Sequence, residues 1–330
     1  MYIFAAILFN TVHYLIMMHI FLLLAGFVLL IKGADWLVKG ASALAKKYRV
    51  SDLAIGLTVV AFGTSAPELV VNVYSSMQNH QDIVFANVIG SNMFNLFAIL
   101  GITGLITPLV VQSSTVWKEI PFSLFAMIVI FVLGNDLVTG GNKVLSRADA
   151  FVLLAFFGLF LYYIYRQMRS DRTETVAESR QLTALKITLF IVSGFAGLVF
   201  GGRMVVTNAI DLASALGVSE KIIGLTVVAA GTSLPELATS VVAAYRKNND
   251  IAVGNIVGSN IFNIFFILGI SSMIRPLNYN PAFNTDIYLV SAGTLLLFLA
   301  MLPGGKKRLD RCEAAVLLLV YVVYTIILIQ

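Results

Sequence analysis

The sequence predicts an all-α membrane protein with ten transmembrane helices, arranged as two inverted five-helix repeats. Three observations predict this fold. Of the 330 residues, 59% are hydrophobic and only 12% are charged, whereas soluble domains carry about 25% charged residues. Ten apolar segments are each long enough to cross a bilayer, and the two halves of the chain repeat the same motifs.

The ten segments follow from length and hydrophobicity. A helix that crosses about 30 Å of hydrocarbon needs about 20 mainly apolar residues. Such segments lie near residues 20–45, 52–77, 82–107, 119–138, 148–166, 184–213, 220–244, 250–274, 284–302 and 311–329. The hydrophilic stretch 166–180 separates the fifth segment from the sixth. We therefore expect an N-terminal extension (1–17), a first five-helix repeat (18–166), a cytoplasmic linker (167–183) and a second five-helix repeat (184–330).

The repeat is visible as a constant offset. Residues 51–108 align without a gap on residues 219–276 at an offset of 168, and 30 of these 58 positions are identical. The identities include Gly, Ser, Thr, Asn, Pro and Glu, which chance similarity between apolar helices would not match. Because each repeat has an odd number of spans, the second must enter the membrane from the opposite side, as in many transporters with inverted repeats.

Basic residues indicate how the helices are oriented. The loops after spans one, three, five, seven and nine, which we call the basic face, hold fourteen Lys and Arg residues, and the opposite loops hold four. By the positive-inside rule the basic face is cytoplasmic, so both termini lie on the non-cytoplasmic side of the cell membrane. This loop distribution accounts for the net charge of +5. A nucleic-acid partner would need a cluster of basic residues with stacking aromatics. The sequence contains no such cluster, so we predict no nucleic-acid partner.

Two related motifs interrupt the second and seventh spans: GTSAPE at 63–68 and GTSLPE at 231–236. Pro67 and Pro235 lack a backbone amide and should free carbonyls in the preceding turn from the helical ladder. Glu68 and Glu236 follow directly. A carboxylate at the bilayer centre costs at least about 2.5–3.5 kcal/mol, so each glutamate is a candidate functional residue rather than a structural one.

The next span of each half carries a second motif, ANVIGSNMFN at 86–95 and GNIVGSNIFN at 254–263. Ser91 and Asn95 lie four residues apart on one helix face, as do Ser259 and Asn263. Together with the glutamates and the freed carbonyls they form an all-oxygen set, which favours Na⁺, Ca²⁺ or similar hard cations over zinc, copper or iron. Two carboxylates would neutralise one Ca²⁺.

These paired motifs closely resemble the two alpha-repeats of the sodium/calcium exchangers, within the calcium/cation antiporter superfamily, and in particular its short prokaryotic members. The resemblance extends from about residue 18 onward. It implies exchange of Na⁺ for Ca²⁺ by alternating access at one central site. The implied partners are the two transported ions and the lipid bilayer, with no cofactor and no obligate protein partner.

The resemblance also implies roles for individual residues. Glu68 and Glu236 would bind both ions, joined in the Ca²⁺ site by the backbone carbonyls of Thr64 and Thr232. Asn95 and Asn263 would line the centre of the site. Flanking Na⁺ sites would use four hydroxyls and two carbonyls, from Ser65, Ser91, Ser233, Ser259, Ala61 and Ala229. The resemblance suggests further that spans one and six are loosely packed and slide, their glycines forming a smooth surface.

Alternatives remain open at this point. An H⁺-coupled or K⁺-dependent antiporter could use the same glutamates. Some close relatives carry Asp where this chain has Asn263, and the absence of that third acid here disfavours K⁺ coupling or a proton held at this position. An ion channel would need an open pore. An intramembrane enzyme is disfavoured because His13, His19 and His80 lie outside the motifs, so no Ser–His pair is available. We predict no enzyme activity.

Overall fold

The computed structural model describes residues 2–137, 140, 143–170, 182–217, 229–301 and 307–329, and only the backbone of residues 2–15, 170, 229 and 329. These residues are almost entirely helical. The α-helices are α1 (Tyr2–Tyr48), α2 (Asp52–Ile55), α3 (Ala61–Thr64), α4 (Ala66–Met77), α5 (Gln81–Met93), α6 (Leu100–Ile106), α7 (Ile120–Gly134), α8 (Arg147–Ser170), α9 (Ala184–Ala215), α10 (Ala229–Gly231), α11 (Leu234–Tyr245), α12 (Asn249–Ile261), α13 (Gly269–Ile274), α14 (Asn284–Met301) and α15 (Arg311–Ile329).

Four π-helical segments interrupt or extend these helices within the described part of the chain. Three of them join α2 to α3, α5 to α6 and α12 to α13, and the fourth precedes α7. Their bounds are Gly56–Val60, Phe94–Ile99, Phe262–Leu268 and Thr115–Glu119. A short 3₁₀ turn, Pro281–Phe283, leads into α14. Segments of π-helix are rare and often mark functional positions.

Eight helices in the described residues are long and apolar enough to cross a membrane, and a ninth crossing is formed by Asp52–Thr64 and Ala66–Met77, which meet at a bend of 47°. This confirms a multi-pass, all-helical membrane fold. The predicted seventh span begins in residues 218–228, outside the described part, and α10 and α11 are what is described of it. The count of ten remains a prediction.

Two boundaries differ from those expected. Helix α1 already begins at Tyr2, so the expected extension 1–17 is helical and continuous with the first span. Helix α8 continues to Ser170, four residues into the expected linker, of which 171–181 lie outside the described residues. Hydrophobicity along the sequence predicts where a helix leaves the membrane, but a helix can continue past that point because its backbone hydrogen bonds do not depend on the membrane.

The core of the molecule lies around the third and eighth predicted spans. In the most apolar window of Asn249–Ile274, 94% of the residues are buried, and in Gln81–Ile106 the share is 78%. The corresponding share is only 17% in the first span and 28% in Ala184–Ala215. Helices that are apolar on all sides belong in the interior of a bundle. The two GSN motifs therefore lie at its centre, and α1 and α9 lie at its edge.

Short strand pairs connect loops on each face. Strand β1 (Leu109–Val110) pairs antiparallel with β4 (Arg308–Leu309), which joins the loops after the third and ninth predicted spans. Strand β2 (Val144–Leu145) pairs antiparallel with β3 (Leu277–Asn278), which joins the loops after the fourth and eighth. Each pair thus links two loops that the charge pattern assigns to the same face.

Helices α1 and α9 pack against each other through glycines. A Cβ added at Gly33 would lie 2.7 Å from the backbone nitrogen of Leu198, and one added at Gly194 would lie 2.7 Å from that of Leu37. Gly26 contacts Val205, further along α9, so the two helices run antiparallel. These glycines allow close backbone contact between the two helices, as small residues do in membranes, so α1 and α9 pack tightly against each other. That the pair slides across the rest of the molecule remains a prediction.

This contact yields a stability prediction. Gly33→Ala should destabilise the protein, because its methyl group forces α1 away from α9, and overpacking of this kind costs about 1–3 kcal/mol. Thermal unfolding in detergent measures the effect. Gly158→Ala on α8 is the matched control: its Cβ would have no atom within 4 Å, so it should unfold at an equal or higher temperature. Equal melting temperatures for Gly33→Ala and the unmodified protein would contradict the packing.

Candidate ion-binding site at the helix breaks

Each GTS-x-PE motif breaks its helix at the serine. Ser65 has φ −82° and ψ 7°, and Ser233 has φ −90° and ψ 9°. A new helix starts after each serine, with Pro67 or Pro235 in its first turn, where a proline needs no hydrogen-bond acceptor for its nitrogen. The break therefore lies two residues before the proline that predicted it.

The glutamates lie in the first turns of these new helices. Glu68 is in the first turn of α4 and Glu236 is in the first turn of α11. A helix N-terminus carries a partial positive charge equivalent to about half an elementary charge. Each glutamate is only 1% exposed, and none of the ion pairs among the described residues involves either one. The helix N-termini therefore balance only part of the negative charge of the two carboxylates, and no basic side chain among the described residues balances the rest.

Serine hydroxyls connect each glutamate to the opposite half of the chain. Ser65 donates to Glu236 Oε1 at 2.8 Å, and Ser233 donates to Glu68 Oε1 at 3.0 Å. The serines of the following helices join them: Ser259 lies 3.4 Å from Glu236 Oε1, and the hydroxyl of Ser91 lies 3.1 Å from that of Ser233. The two motifs therefore form one site.

The threonines follow the same crossed pattern. The Thr64 hydroxyl donates to Asn255 Oδ1 at 2.9 Å, and the Thr232 hydroxyl donates to Asn87 Oδ1 at 3.3 Å. Asn255 also donates to the backbone carbonyl of Glu236, at 3.3 Å. These bonds fix the turn at each break and orient the threonine side chains toward the asparagines of the opposite half.

The asparagines of the central helices pair crosswise as well. Asn95 Nδ2 donates to Asn260 Oδ1 at 3.0 Å, and Asn263 Nδ2 donates to Asn92 Oδ1 at 3.0 Å. Asn92 also donates to the backbone carbonyl of Asn260, at 3.1 Å. Because the amide nitrogens of Asn95 and Asn263 are occupied, their oxygens are oriented away from these bonds.

Four buried oxygens in this cluster have no hydrogen-bond partner among the described residues. They come in two pairs from equivalent positions of the two halves, and they are Glu68 Oε2, Glu236 Oε2, Asn95 Oδ1 and Asn263 Oδ1. Buried polar atoms without a partner are rare and call for an explanation. Two carboxylate and two amide oxygens are good ligands for a hard cation.

The predicted alanine carbonyls are less well placed. The Ala61 carbonyl accepts from the Thr64 hydroxyl at 3.3 Å and from the Ser65 amide at 3.0 Å, so both of its lone pairs are occupied. Ala229 begins the short helix α10, and its side chain lies outside the described residues. Of the twelve predicted site residues, the structure brings the glutamates, serines and asparagines together around one centre.

Sequence reasoning missed the residues that orient the ligands. Asn87, Asn92, Asn255 and Asn260 hold the threonines and the central asparagines in place, yet they were passed over within the quoted motifs. They are identical at the offset of 168, and that signal was available. Buried Glu119 was also missed, because the fourth span was expected to start at this residue.

Among the described residues, no group of three or more His, Cys, Asp and Glu side chains could hold a metal ion. The cluster instead offers two carboxylates surrounded by neutral oxygens. Such a set suits a cation that must be bound and released, since fewer fixed charges hold the ion less tightly than a dedicated cage of carboxylates.

The family of the chain is shown by its similarity to known proteins. The profile of the family described as "Sodium/calcium exchanger protein" matches residues 18–166 and 186–330. The chain belongs to the sodium/calcium exchanger family. This is a family of membrane antiporters and not of catalytic enzymes, and its members move Na⁺ and Ca²⁺ as substrates.

Individual relatives cover almost the whole chain. The sodium/calcium exchanger MaX1 of Methanosarcina acetivorans is 33% identical, with 95% of this chain and 99% of the relative aligned. The inner membrane protein YrbG of Escherichia coli K12 is 36% identical over 77% of this chain and 79% of its own length. Structures of the sodium–calcium exchanger NCX_Mj superpose with a TM-score of 0.79 at 30% identity, covering 93% of this chain and 98% of theirs.

The crossed asparagine pairs predict a loss of affinity. Asn92→Ala removes the acceptor for Asn263, and an interhelical hydrogen bond in a membrane contributes about 0.6–1.7 kcal/mol. We expect Ca²⁺ binding to weaken by about threefold to twentyfold, measured by ⁴⁵Ca²⁺ binding in detergent.

Asn135→Ala is the control for that experiment. Asn135 and Asn284 also exchange two amide hydrogen bonds, of 2.8 and 3.0 Å, but they lie at a membrane face away from the cluster. This variant should bind Ca²⁺ normally. Equal losses in the two variants would mean that the asparagine pairs act on overall stability and not on the ion site.

Proposed function

We propose that this exchanger-family chain exchanges Na⁺ for Ca²⁺ across the membrane, moving the two ions in opposite directions by alternating access of one central site. The observation that carries the proposal is the set of four unpartnered buried oxygens on Glu68, Glu236, Asn95 and Asn263. The asparagines lie on the two most buried spans and the glutamates on the helices that start at the breaks, and a hard cation bound between them would give all four oxygens a partner.

Electrostatics explains why such a site exchanges ions rather than releasing them in one direction. Two carboxylates in an apolar interior are strongly disfavoured without compensating charge. One Ca²⁺ compensates both, and so do Na⁺ ions bound in its place. The protein can then switch the opening of the site from one side of the membrane to the other only when cations are bound. Competition for the same two glutamates therefore links the two fluxes.

We assign the ion contacts as the motifs suggest. Glu68 and Glu236 contact both ions, the backbone carbonyls of Thr64 and Thr232 complete the Ca²⁺ site, and Asn95 and Asn263 line its centre. The hydroxyls of Ser65, Ser91, Ser233 and Ser259 serve Na⁺ together with the carbonyl of Ala229. The Ala61 carbonyl joins them only when the Thr64 hydroxyl turns away from it. The crossed serine–glutamate bonds support this division, because each hydroxyl is already oriented toward a carboxylate.

We also propose ten transmembrane helices in two inverted repeats, bounded as the sequence predicts, with the basic face in the cytoplasm and both termini outside. Three observations support this arrangement. Helices α1 and α9, equivalent in the two halves, run antiparallel. The strand pairs connect loops expected on the same face. Each serine–glutamate, threonine–asparagine and asparagine–asparagine bond between the halves has a counterpart in which both residues are replaced by their repeat equivalents.

The chain acts as a transporter without a cofactor, an enzyme activity or an obligate protein partner. The alternative is coupling to H⁺ or K⁺. Protons could neutralise the same two glutamates, so the coupling ion needs a direct test. ⁴⁵Ca²⁺ uptake into proteoliposomes should follow an outward Na⁺ gradient and should be absent with an outward K⁺ gradient or a pH gradient alone. Uptake driven by either of these in place of Na⁺ would overturn the assignment.

Charge removal provides a test of the site. Glu68→Gln and Glu236→Gln should each reduce Na⁺-driven ⁴⁵Ca²⁺ uptake to background, because the amide keeps hydrogen bonding but cannot balance a cation. Glu313→Gln is the control. Glu313 accepts from the Asp310 amide at the start of α15, far from the helix breaks, so its transport should be normal. Full uptake in either central variant would remove that glutamate from the site.

Asn263→Asp tests the neutrality of the centre. Asn263 Nδ2 donates to Asn92 Oδ1, and an introduced carboxyl can make that bond only when it carries a proton. We expect Ca²⁺ uptake to persist but to acquire a dependence on pH, or on K⁺ if the new group ionises and recruits another cation. Uptake with an unchanged dependence on both would place Asn263 outside the ion site.

A further inference from the structure

A second polar cluster lies between α8 and the helix that contains α7, away from the central site. The Tyr163 hydroxyl donates to Glu119 Oε1, and Gln167 Nε2 lies 3.4 Å from the Ser114 hydroxyl. Residue numbers rise on one helix as they fall on the other, so the two helices run antiparallel. Thr115 lies one turn before Glu119 and directly follows Ser114, which Gln167 contacts.

Three side chains of this cluster are buried and incompletely bonded. Glu119 is 0% exposed, Thr115 is 1% exposed and Gln167 is 8% exposed. Each has one buried oxygen without a hydrogen-bond partner among the described residues: Glu119 Oε2, Thr115 Oγ1 and Gln167 Oε1. A carboxylate, a hydroxyl and an amide oxygen are together the donor types that bind hard cations.

The backbone marks the same place. Of the four π-helical segments in the described chain, two contain the central asparagines and one leads directly into the first helix break. The fourth, Thr115–Glu119, begins and ends with two of the three residues that have a buried oxygen without a hydrogen-bond partner. A π-helical turn changes the direction in which its side chains point, and such turns are frequent at functional sites.

We propose that Glu119, Thr115 and Gln167 bind a monovalent alkali cation, probed as Na⁺, in a site separate from the central one. The charge balance favours one positive charge. The site has a single carboxylate, and the neighbouring Lys118 is exposed and forms no ion pair with it among the described residues. A divalent ion would leave an excess of positive charge in an apolar surrounding, whereas one monovalent ion neutralises Glu119.

The position suggests what the ion does. The cluster lies where the fourth span begins, next to the loop of β1, on the basic face. A bound ion would tie α7 to α8 there, so the pairing of these helices would respond to the Na⁺ concentration on that face. Glu119 lies beyond residues 51–108, the stretch that aligns without a gap on the second half, and the contacts that define this second site lie within the first half.

Binding is tested in a background that lacks the central carboxylates, so that the result does not depend on the proposed exchange. The double variant Glu68→Gln/Glu236→Gln is purified in detergent. ²²Na⁺ binding and the melting temperature are measured as NaCl replaces N-methyl-D-glucamine chloride at constant ionic strength. We expect one bound Na⁺ and a Na⁺-dependent rise in melting temperature. Adding Glu119→Gln should abolish both, and adding Gln167→Leu should weaken Na⁺ binding several-fold without a change of charge.

Asp286→Asn is the matched control in the same background. Asp286 also accepts from a tyrosine, Tyr324, at 2.9 Å, but its carboxylate is only partly buried, so Na⁺ binding should be unchanged. The proposal is overturned if the background variant binds no Na⁺, or if binding survives both Glu119→Gln and Gln167→Leu. A melting temperature that responds to pH and not to Na⁺ would assign Glu119 to a proton and would also overturn it.

Discussion

The structure depends on the burial of two carboxylates without a basic partner. Glu68 and Glu236 lie in the middle of the bundle, each 1% exposed, and carboxylates are expensive to bury in an apolar environment. Helix N-termini and serine hydroxyls reduce that cost in part. Since each serine comes from the other half of the chain, neither half can form the site alone, and the two repeats must fold against each other.

The same constraint explains the distribution of burial. The helices that carry the central asparagines are buried on nearly all sides, whereas the first and sixth spans are mostly exposed. The polar groups at the centre need fixed geometry, which dense packing provides. The peripheral helices contact each other through glycine backbones. For the proposed alternating access, a rigid centre with a separately packed outer pair offers a physical route to movement without disrupting the ligands.

The duplication accounts for some polar features of the structure and not for others. The crossed bonds of serines, threonines and asparagines occur twice because the residues at both ends of each bond are identical in the two repeats. Glu119 lies beyond the stretch that aligns without a gap, and its bond to Tyr163 joins two helices of the first half. The crossed bonds therefore belong to the shared centre, whereas the Glu119 cluster is local to one helix pair.

The sequence by itself determined the class of fold, the repeat and the composition of the central site. Glu68 and Glu236 could be found because a charge in an apolar span is disfavoured unless it has a use, and the offset of 168 identified their companions. Only the tertiary structure decided the partners: Ser65 bonds Glu236 rather than the glutamate of its own motif, Asn92 orients Asn263, and the breaks fall at the serines. Spacing along the chain could not reveal these pairs, because they join helices that are distant in sequence and meet only when both repeats have packed together.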